Sequence, residues 1–379
     1  METTKANLHL FSFFSGCGFL DLGFETSGFM IDLVNEFSPA FLSAYKYSRA
    51  KLGLATPQFG YSNIDIADYL DAKSKELKNY IDVIHAQHAY VGFIGGPPCP
   101  DFSVAGKQKG RDGDNGKLSL TYISLIIQQK PDFFLFENVK GLWKTAKHRA
   151  FYDELKRKLA HAGYLMTDRL CNSLEFGAPQ DRDRILLFGV LKKNLTKKIN
   201  ISKDFPWLNH VVYNVDDVKS LPWPVRDRFI ENSQKDCLDN VPRELTVQYW
   251  FDKNDVLHHI NSSDHFVSRQ GLVKMQTVDE GDVSRKSYKR LHRWRYSPTV
   301  AYGNNEVHLH PYKPRRLTAA EALALQTLPK NFVLPPDMTL TDKFKTIGNG
   351  VPFVMSKAIA TTIYEYINKL KEDGTLHSI

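Results

Sequence analysis

Cysteine is scarce in this chain of 379 residues: Cys17, Cys99, Cys171 and Cys237 are scattered, with no CxxC spacing. That excludes a disulfide framework and the usual zinc sites, and it suits a reducing compartment. Long apolar runs are missing as well. The longest, such as Ile185-Leu186-Leu187-Phe188-Gly189-Val190-Leu191, fall far short of a membrane span, and Met1-Glu2-Thr3-Thr4-Lys5 lacks the layout of a secretory signal. There is no internal repeat and no low-complexity tract. With 42% hydrophobic and 24% charged residues, the chain reads as a cytoplasmic globular protein of two ordinary domains, with no membrane partner and no metal.

Acidic charge is also in deficit, 42 residues against 50 basic ones, and the imbalance is uneven. Between Leu191 and Arg316 there are 22 basic and 15 acidic residues, which is seven of the chain's net surplus of eight. Within that segment, Arg285-Lys286-Ser287-Tyr288-Lys289-Arg290-Leu291-His292-Arg293-Trp294-Arg295 interleaves cations with aromatics. Such a mix suits a surface that meets phosphates and stacks on bases, but a solvated basic face has the same composition.

What is present is an alternation of short apolar runs and amphipathic stretches up to Leu191, the pattern of an α/β fold with a mostly parallel sheet. Strands are predicted at 8–14, 30–34, 90–94, 132–136, 167–172 and 184–190, and helices at 20–27, 119–129 and 148–162. After Leu191 the chain breaks into short, turn-rich pieces around Pro206-Trp207, Leu221-Pro222-Trp223-Pro224 and Asn261-Ser262-Ser263-Asp264. A second, less regular domain is expected there. Helical periodicity returns at 318–325, opened by a capping-box spacing from Thr318 to Glu321, and again at 354–371.

Three places carry candidate chemistry. Phe14-Ser15-Gly16-Cys17-Gly18 joins a strand to a helix, where glycines let a ligand approach backbone N–H groups. The full GxGxxG is absent, because position 21 is Asp, and a tight turn without ligand is an equal reading of this motif alone. Glu36 at the end of the next strand stands where an acid accepts hydrogen bonds from a ribose diol. Asp65, in Asn63-Ile64-Asp65-Ile66, is expected to close a third strand and take an exocyclic amine.

Gly95-Gly96-Pro97-Pro98-Cys99-Pro100 places a thiol on a stiff turn after an apolar strand. A lone cysteine is more often a small buried hydrophobe, but its Gly and Pro neighbours argue for display. Glu137-Asn138-Val139 follows the next apolar strand, so Cys99 and Glu137 are expected to share one crevice with the glycine loop. A thiol and a carboxyl beside a nucleoside cofactor suggest nucleophilic attack with proton assistance.

Taken together, these motifs resemble the cytosine-5 DNA methyltransferases of bacterial type. The likeness covers nearly the whole chain, in order: the glycine loop, Glu36, Asp65, Pro98-Cys99 with Ser103 and Gly106-Lys107, Glu137-Asn138-Val139, Gln180-Asp181-Arg182-Asp183-Arg184, Arg315-Arg316-Leu317-Thr318 through Leu328-Pro329, and Gly348-Asn349-Gly350-Val351-Pro352. One departure is Phe19, where the family commonly carries another glycine.

The resemblance implies a Rossmann-like methyltransferase fold that uses S-adenosylmethionine, with S-adenosylhomocysteine as product. The catalytic domain would span 1–190 and be completed by 336–379, around a target-recognition domain at 191–335. Cys99 is implied as nucleophile at C6 of a flipped-out cytosine, Glu137 as the acid at N3 and the exocyclic amine, and Arg184 and Arg182 as holders of the base and the site carboxylates. Phe14, Ser15, Gly16, Cys17, Gly18, Glu36, Asp65, Ile66, Pro98 and Asn349, on a loop before the last helix, are implied at the cofactor. Ser103, Lys107, Gln180, Arg285, Lys289, Arg290, Arg293 and Arg295 are implied at DNA. Double-stranded DNA is the expected partner, with the enzyme a monomer that modifies DNA alongside a cognate restriction endonuclease. The alternatives are a transfer-RNA cytosine methyltransferase of the same fold and a non-catalytic DNA-binding relative; a nicotinamide-dependent oxidoreductase would leave the Pro-Cys turn unexplained.

Overall fold

The computed structural model describes residues 7–98, 114–267, 271–285, 287–300, 302 and 308–377. The chain begins with β1 (Leu8–Phe13), α1 (Phe19–Glu25), β2 (Met30–Asn35), α2 (Pro39–Leu52), β3 (Tyr61–Ser62), α3 (Ser74–His85) and β4 (Tyr90–Gly95). It continues with α4 (Asp114–Gln129), β5 (Phe133–Val139), α5 (Gly141–Lys144), α6 (Ala146–His161), β6 (Tyr164–Asn172), β7 (Gln180–Asp181) and β8 (Asp183–Leu191).

Seven of these strands make one sheet in the order β3-β2-β1-β4-β5-β8-β6. All neighbours are parallel except β8, which runs antiparallel to both β5 and β6. β1 and β4 are buried along their whole length, as expected where helices cover both faces of a parallel sheet. On one face, side chains of α3, α4 and α6 (Leu77, Ile81, Ile126, Leu155) close over Phe93, Phe134 and Leu187. On the other, Phe24 of α1 and Met355, Ile359, Ile363 and Ile367 of α13 (Phe353–Glu372) close over Leu10, Ile94 and Phe188. The C-terminal helix is therefore part of the first sheet's core.

Between them lie α7 (Ile201–Asp204), α8 (Val215–Ser220), α9 (Val247–Lys253), α10 (Leu272–Gln276), β9 (Lys289–Arg290), β10 (Ser297–Pro298), β11 (His308–Leu309), α11 (Ala319–Leu325) and α12 (Leu340–Asn349). These elements are short and organise around small cores, one of them Leu174, Val218, Trp223, Val241 and Leu245. Packing continues across residue 191, since Ile201 and Phe205 lie in one cluster with Phe188 and Tyr366. It also continues from α11 into the first half, where Leu323 and Leu325 join Phe19, Leu22 and Ile347.

Several expectations are corrected. The helices α2, α3 and α12 were not predicted, although Ser38 caps α2 just before Pro39 at its first turn, a readable start signal. The strand near Asp65 ends at Ser62, and Asp65 instead caps a short 3₁₀ turn by accepting a hydrogen bond from the Ala67 amide at 2.9 Å. Glu137 lies inside β5, not after it, paired with Leu186. Asn349 is the last residue of α12, not a loop residue. The capping box at Thr318 and Glu321 is present as read.

Candidate active site

Strand register gathers the candidate residues. Phe13 lies opposite both Asn35 and Gly95, and Gly95 opposite Phe136, so the carboxyl ends of β1, β2, β4 and β5 form one row. The glycine loop, Glu36, the Gly96-Pro97-Pro98 turn and Glu137 thus open on one edge of the sheet. Cys99, Ser103 and Lys107 lie outside the described residues, one residue and a few more beyond Pro98.

β8 supplies the partner for Glu137 because it is antiparallel. Its first residues lie beside the end of β5, with Arg184 opposite Val139. Arg184 Nε stands 2.6 Å from Glu137 Oε1, and each side chain is 10% exposed. Gly96 makes room for this carboxylate: a Cβ there would lie 2.5 Å from Glu137 Oε2. Asn138 reaches the same turn from below, its side-chain amide donating to the Pro97 carbonyl at 3.5 Å. A guanidinium held against a carboxylate, under a Gly-Pro-Pro turn, sets a charged floor beneath the position that Cys99 follows.

Arg182 does something different. It lies between β7 and β8, fully buried, and donates to the carbonyls of Val300 (2.9 Å), Gly348 (2.9 Å) and Asn349 (3.4 Å). Burial and then the neighbouring Arg184 charge push its pKa well below the usual arginine value, while Glu137 opposes this. Arg182 is a tether between the segment after Leu191 and the end of α12, and it feels the charge of Glu137 although it makes no hydrogen bond to that carboxylate. Gln180 is likewise fully buried: its amide donates to the Leu325 carbonyl and to Gln326 Oε1, both at 3.3 Å, and its oxygen accepts from the Val300 amide at 2.9 Å. That leaves it nothing to offer DNA. Gln326, which the sequence reading passed over inside the stretch from Arg315 to Pro329, completes this junction by donating to the Gly350 carbonyl at 3.3 Å.

At the glycine loop, Phe14, Gly16 and Gly18 all have φ between 54° and 78°. Glu36 bridges the loop and α2, its Oε2 accepting from the Gly16 amide and its Oε1 from the Ser38 amide, each at 2.8 Å. Burial raises its pKa, and those two amides and Lys345 pull it back. Ser15 donates to the Asn35 carbonyl at 3.3 Å, and Phe14 sets its ring edge-on to Tyr122. Cys17 turns its thiol inward, where Thr346 Oγ1 lies 3.0 Å away and burial pushes the thiol up to about 12. Only the backbone of Cys17 faces the loop.

Phe19 is buried as well. Its ring packs edge-on against Phe332 and fills the space that a Cβ on Gly350 would need, so the extra side chain leaves the face of the loop clear. Ile66 is buried in the core under the sheet, Asp65 and Asn349 are exposed, and Pro98 is exposed at the end of its turn. Phe37, next to Glu36, is 69% exposed, an aromatic ring at the rim that sequence reading did not single out.

The basic stretch divides. Arg290 is fully buried, lies 3.9 Å over Phe229, and donates to the carbonyls of Val278, His310, Lys313 and Met275. Burial lowers its pKa to about 10. Arg293 is paired with Glu280 at 2.8 Å, both buried, and bonded to the half-buried Ser233. These two arginines are struts of the segment, which corrects their expected place at DNA. Arg285 is exposed, and Lys289 and Arg295 are half-buried.

A sequence model of the C-5 cytosine-specific DNA methylases matches residues 8–365. The Type II methyltransferase M.NmeDI of Neisseria meningitidis serogroup C is 53% identical over 370 residues, 96% of this chain and 86% of its own. M.NgoPII of Neisseria gonorrhoeae, also a Type II methyltransferase, is 28% identical over 97% of this chain and 98% of its own. Among solved structures, a putative DNA modification methyltransferase encoded within an E. coli prophage has a TM-score of 0.63 at 23% identity, over 95% of this chain and 99% of that one, a likeness of fold.

Proposed function

Because the chain belongs to the C-5 cytosine-specific DNA methylase family, and is thus a methyltransferase acting on cytosine in DNA, we propose that Cys99, Glu137 and Arg184 carry the reaction and that S-adenosylmethionine is the methyl donor. The observation that carries this reading is the Arg184–Glu137 pair, held at 2.6 Å against Gly96, three residues before Cys99. Cytosine C5 is a weak nucleophile and needs activation. The Cys99 thiolate adds to C6, which leaves an enamine whose C5 takes the methyl group. Glu137 holds N3 and the exocyclic amine and supplies the proton or hydrogen bond that accommodates charge as the thiolate adds, while Arg184 fixes Glu137 and faces the base carbonyl. Loss of the C5 proton to a base or water then expels Cys99 and restores the ring. The target base reaches this pocket only by leaving the stack, at a cost of about a few kcal/mol.

The residues present fit the donor. Gly16, with φ +56°, meets only Thr346 Oγ1, at 3.8 Å, where a Cβ would be, so the loop face is open to a ligand. The donor supplies an electrophilic methyl on a sulfonium. Glu36 would accept from the ribose, Phe37 would stack on the adenine, Asp65 and Ile66 would border its edge, and Pro98 and Asn349 would close the methyl end. Among the described residues of the basic stretch, exposed Arg285 and half-buried Lys289 and Arg295 would meet phosphates, with Ser103 and Lys107 near the catalytic turn. The enzyme would act as a monomer and as the modification partner of a restriction endonuclease.

Transfer of tritium from labelled S-adenosylmethionine to duplex DNA, with transfer RNA as the parallel substrate, tests this reading. Labelled 5-methylcytosine in DNA is expected. Label in transfer RNA alone, or in neither, would overturn it, and bisulfite sequencing of DNA from expressing cells would locate the target sequence.

A further inference from the structure

Behind the glycine loop lies a buried polar cluster that the reaction as described does not use. Arg49, in the last turn of α2, is 2% exposed. Its Nη2 donates to the Gly18 carbonyl at 2.9 Å and to Glu25 Oε2 at 2.7 Å, and its Nη1 to the Cys17 carbonyl at 3.4 Å. The guanidinium lies 4.1 Å over the Tyr45 ring, whose hydroxyl donates to Asp21 Oδ2, and Ser12 donates to the other oxygen of Asp21. Gly18 is required here twice over. It has φ +78°, and a Cβ would lie 2.6 Å from Arg49 Nη1.

A loop with three left-handed residues in five, one of them Phe14, persists only if its surroundings over-determine it. Glu36 grips the Gly16 amide from the front, and Arg49 grips the next two carbonyls from behind. Peptide planarity makes that grip directional, because fixing the carbonyls of Cys17 and Gly18 fixes the N–H groups of Gly18 and Phe19 that lie trans to them. As mere packing the arrangement is a poor choice. A buried ion pair replaced by apolar groups of similar volume is often neutral or stabilising, so stability alone does not account for a cation placed on loop carbonyls.

We propose that Arg49 is the positioning residue of the glycine loop, holding the Cys17 and Gly18 carbonyls so that the loop is already in the conformation that receives S-adenosylmethionine. The inference rests on the reading that this loop binds that cofactor. Cofactor affinity is measured by calorimetry, and DNA affinity and kinetics separately, for the full-length wild type, Arg49→Lys, Glu25→Gln and Glu36→Ala, with folding checked by thermal melting. Lysine keeps the charge but cannot span both carbonyls and Glu25. Cofactor affinity of Arg49→Lys is expected to fall about tenfold, as for loss of a buried charge-assisted hydrogen bond. KM for the cofactor should rise in step while kcat and DNA affinity stay near wild type. Glu25→Gln, which frees the guanidinium from its anchor, should show the same pattern more weakly.

A folded Arg49→Lys enzyme with unchanged cofactor affinity overturns the proposal, as does one that loses DNA affinity and kcat to the same extent. Should Arg49→Lys not fold, Glu25→Gln decides by the same criteria. If Glu36→Ala also binds the cofactor normally, the cofactor site itself has been misassigned, and Arg49's role falls with it.

Discussion

The carboxyl edge of the sheet and the segment after Leu191 show arginine used in opposite ways. At the end of the sheet, Arg184 stands 2.6 Å from Glu137, a carboxylate partner, with each side chain 10% exposed. In the segment after Leu191, Arg290 and Arg293 are buried and spend their donors on five carbonyls, the Ser233 hydroxyl and Glu280. The sheet has its own apolar core of aromatic and branched residues, whereas the segment after Leu191, up to Pro335, has two- to seven-residue elements whose apolar residues form small clusters and one larger core shared with Phe19, Leu22 and Ile347. There, the guanidinium groups of Arg290 and Arg293 tie together loop carbonyls and Glu280. Interleaved cations and aromatics in a sequence therefore mark internal struts as readily as a nucleic-acid face.

The sharpest test of the contrast is at the catalytic edge. Cys99→Ser should abolish turnover and covalent capture by a 5-fluorocytosine oligonucleotide, and persistent capture would mean that another residue attacks. Glu137→Gln should lower kcat by about 10²–10⁴-fold, the range for loss of positioned proton transfer, with little change in melting temperature. Arg293→Ala should show the reverse. Leaving Glu280 buried without its cation should cost about 3–5 kcal/mol in denaturant unfolding, with DNA affinity per folded molecule unchanged. Loss of DNA affinity without loss of stability would restore Arg293 to the DNA face and break the comparison.

Smaller effects sharpen it further. Glu36→Ala should weaken cofactor binding about tenfold by calorimetry, since charge-assisted hydrogen bonds are lost, and leave DNA binding alone. Glu25 gives a pH signature, because burial raises its carboxyl from 4.5 to about 7. The folded state then holds this proton more tightly than the unfolded state. The contribution to stability is complete below pH 4.5 and is lost as pH rises through 7, so Glu25→Gln should flatten the melting temperature across that window. The least effect is expected from Arg285→Ala, an exposed cation whose loss should weaken DNA binding for all sequences alike and reduce the salt slope by about 1. An unchanged slope would show that Arg285 meets no phosphate.

How much could be read in advance differed by residue. Gln180-Asp181-Arg182-Asp183-Arg184 alternates with the period of a strand, so its two arginines look equivalent on paper. They separate because β8 begins at Asp183: Arg184 enters the antiparallel register beside β5 and meets Glu137, whereas Arg182 sits in the break and meets the carbonyls of Val300, Gly348 and Asn349. Asp181 and Asp183 point the other way, both accepting from the Asn172 amide. Arg49 shows the opposite failure. Nothing in Tyr47-Ser48-Arg49-Ala50 departs from an ordinary helix surface, and only the packing of α2 behind α1 makes the residue internal.

The sequence by itself determined the α/β class, the order of the strand ends and the identity of the residues set on them. Apolar runs, glycines and prolines act over a few neighbouring positions, and such local rules survive without knowledge of the rest. Tertiary structure decided which cations are struts and which are tools. That choice rests on solvent access and on the supply of carbonyls from segments more than a hundred residues apart, as when Arg182 is claimed by Val300 and Gly348 while Arg184, two positions on, meets Glu137.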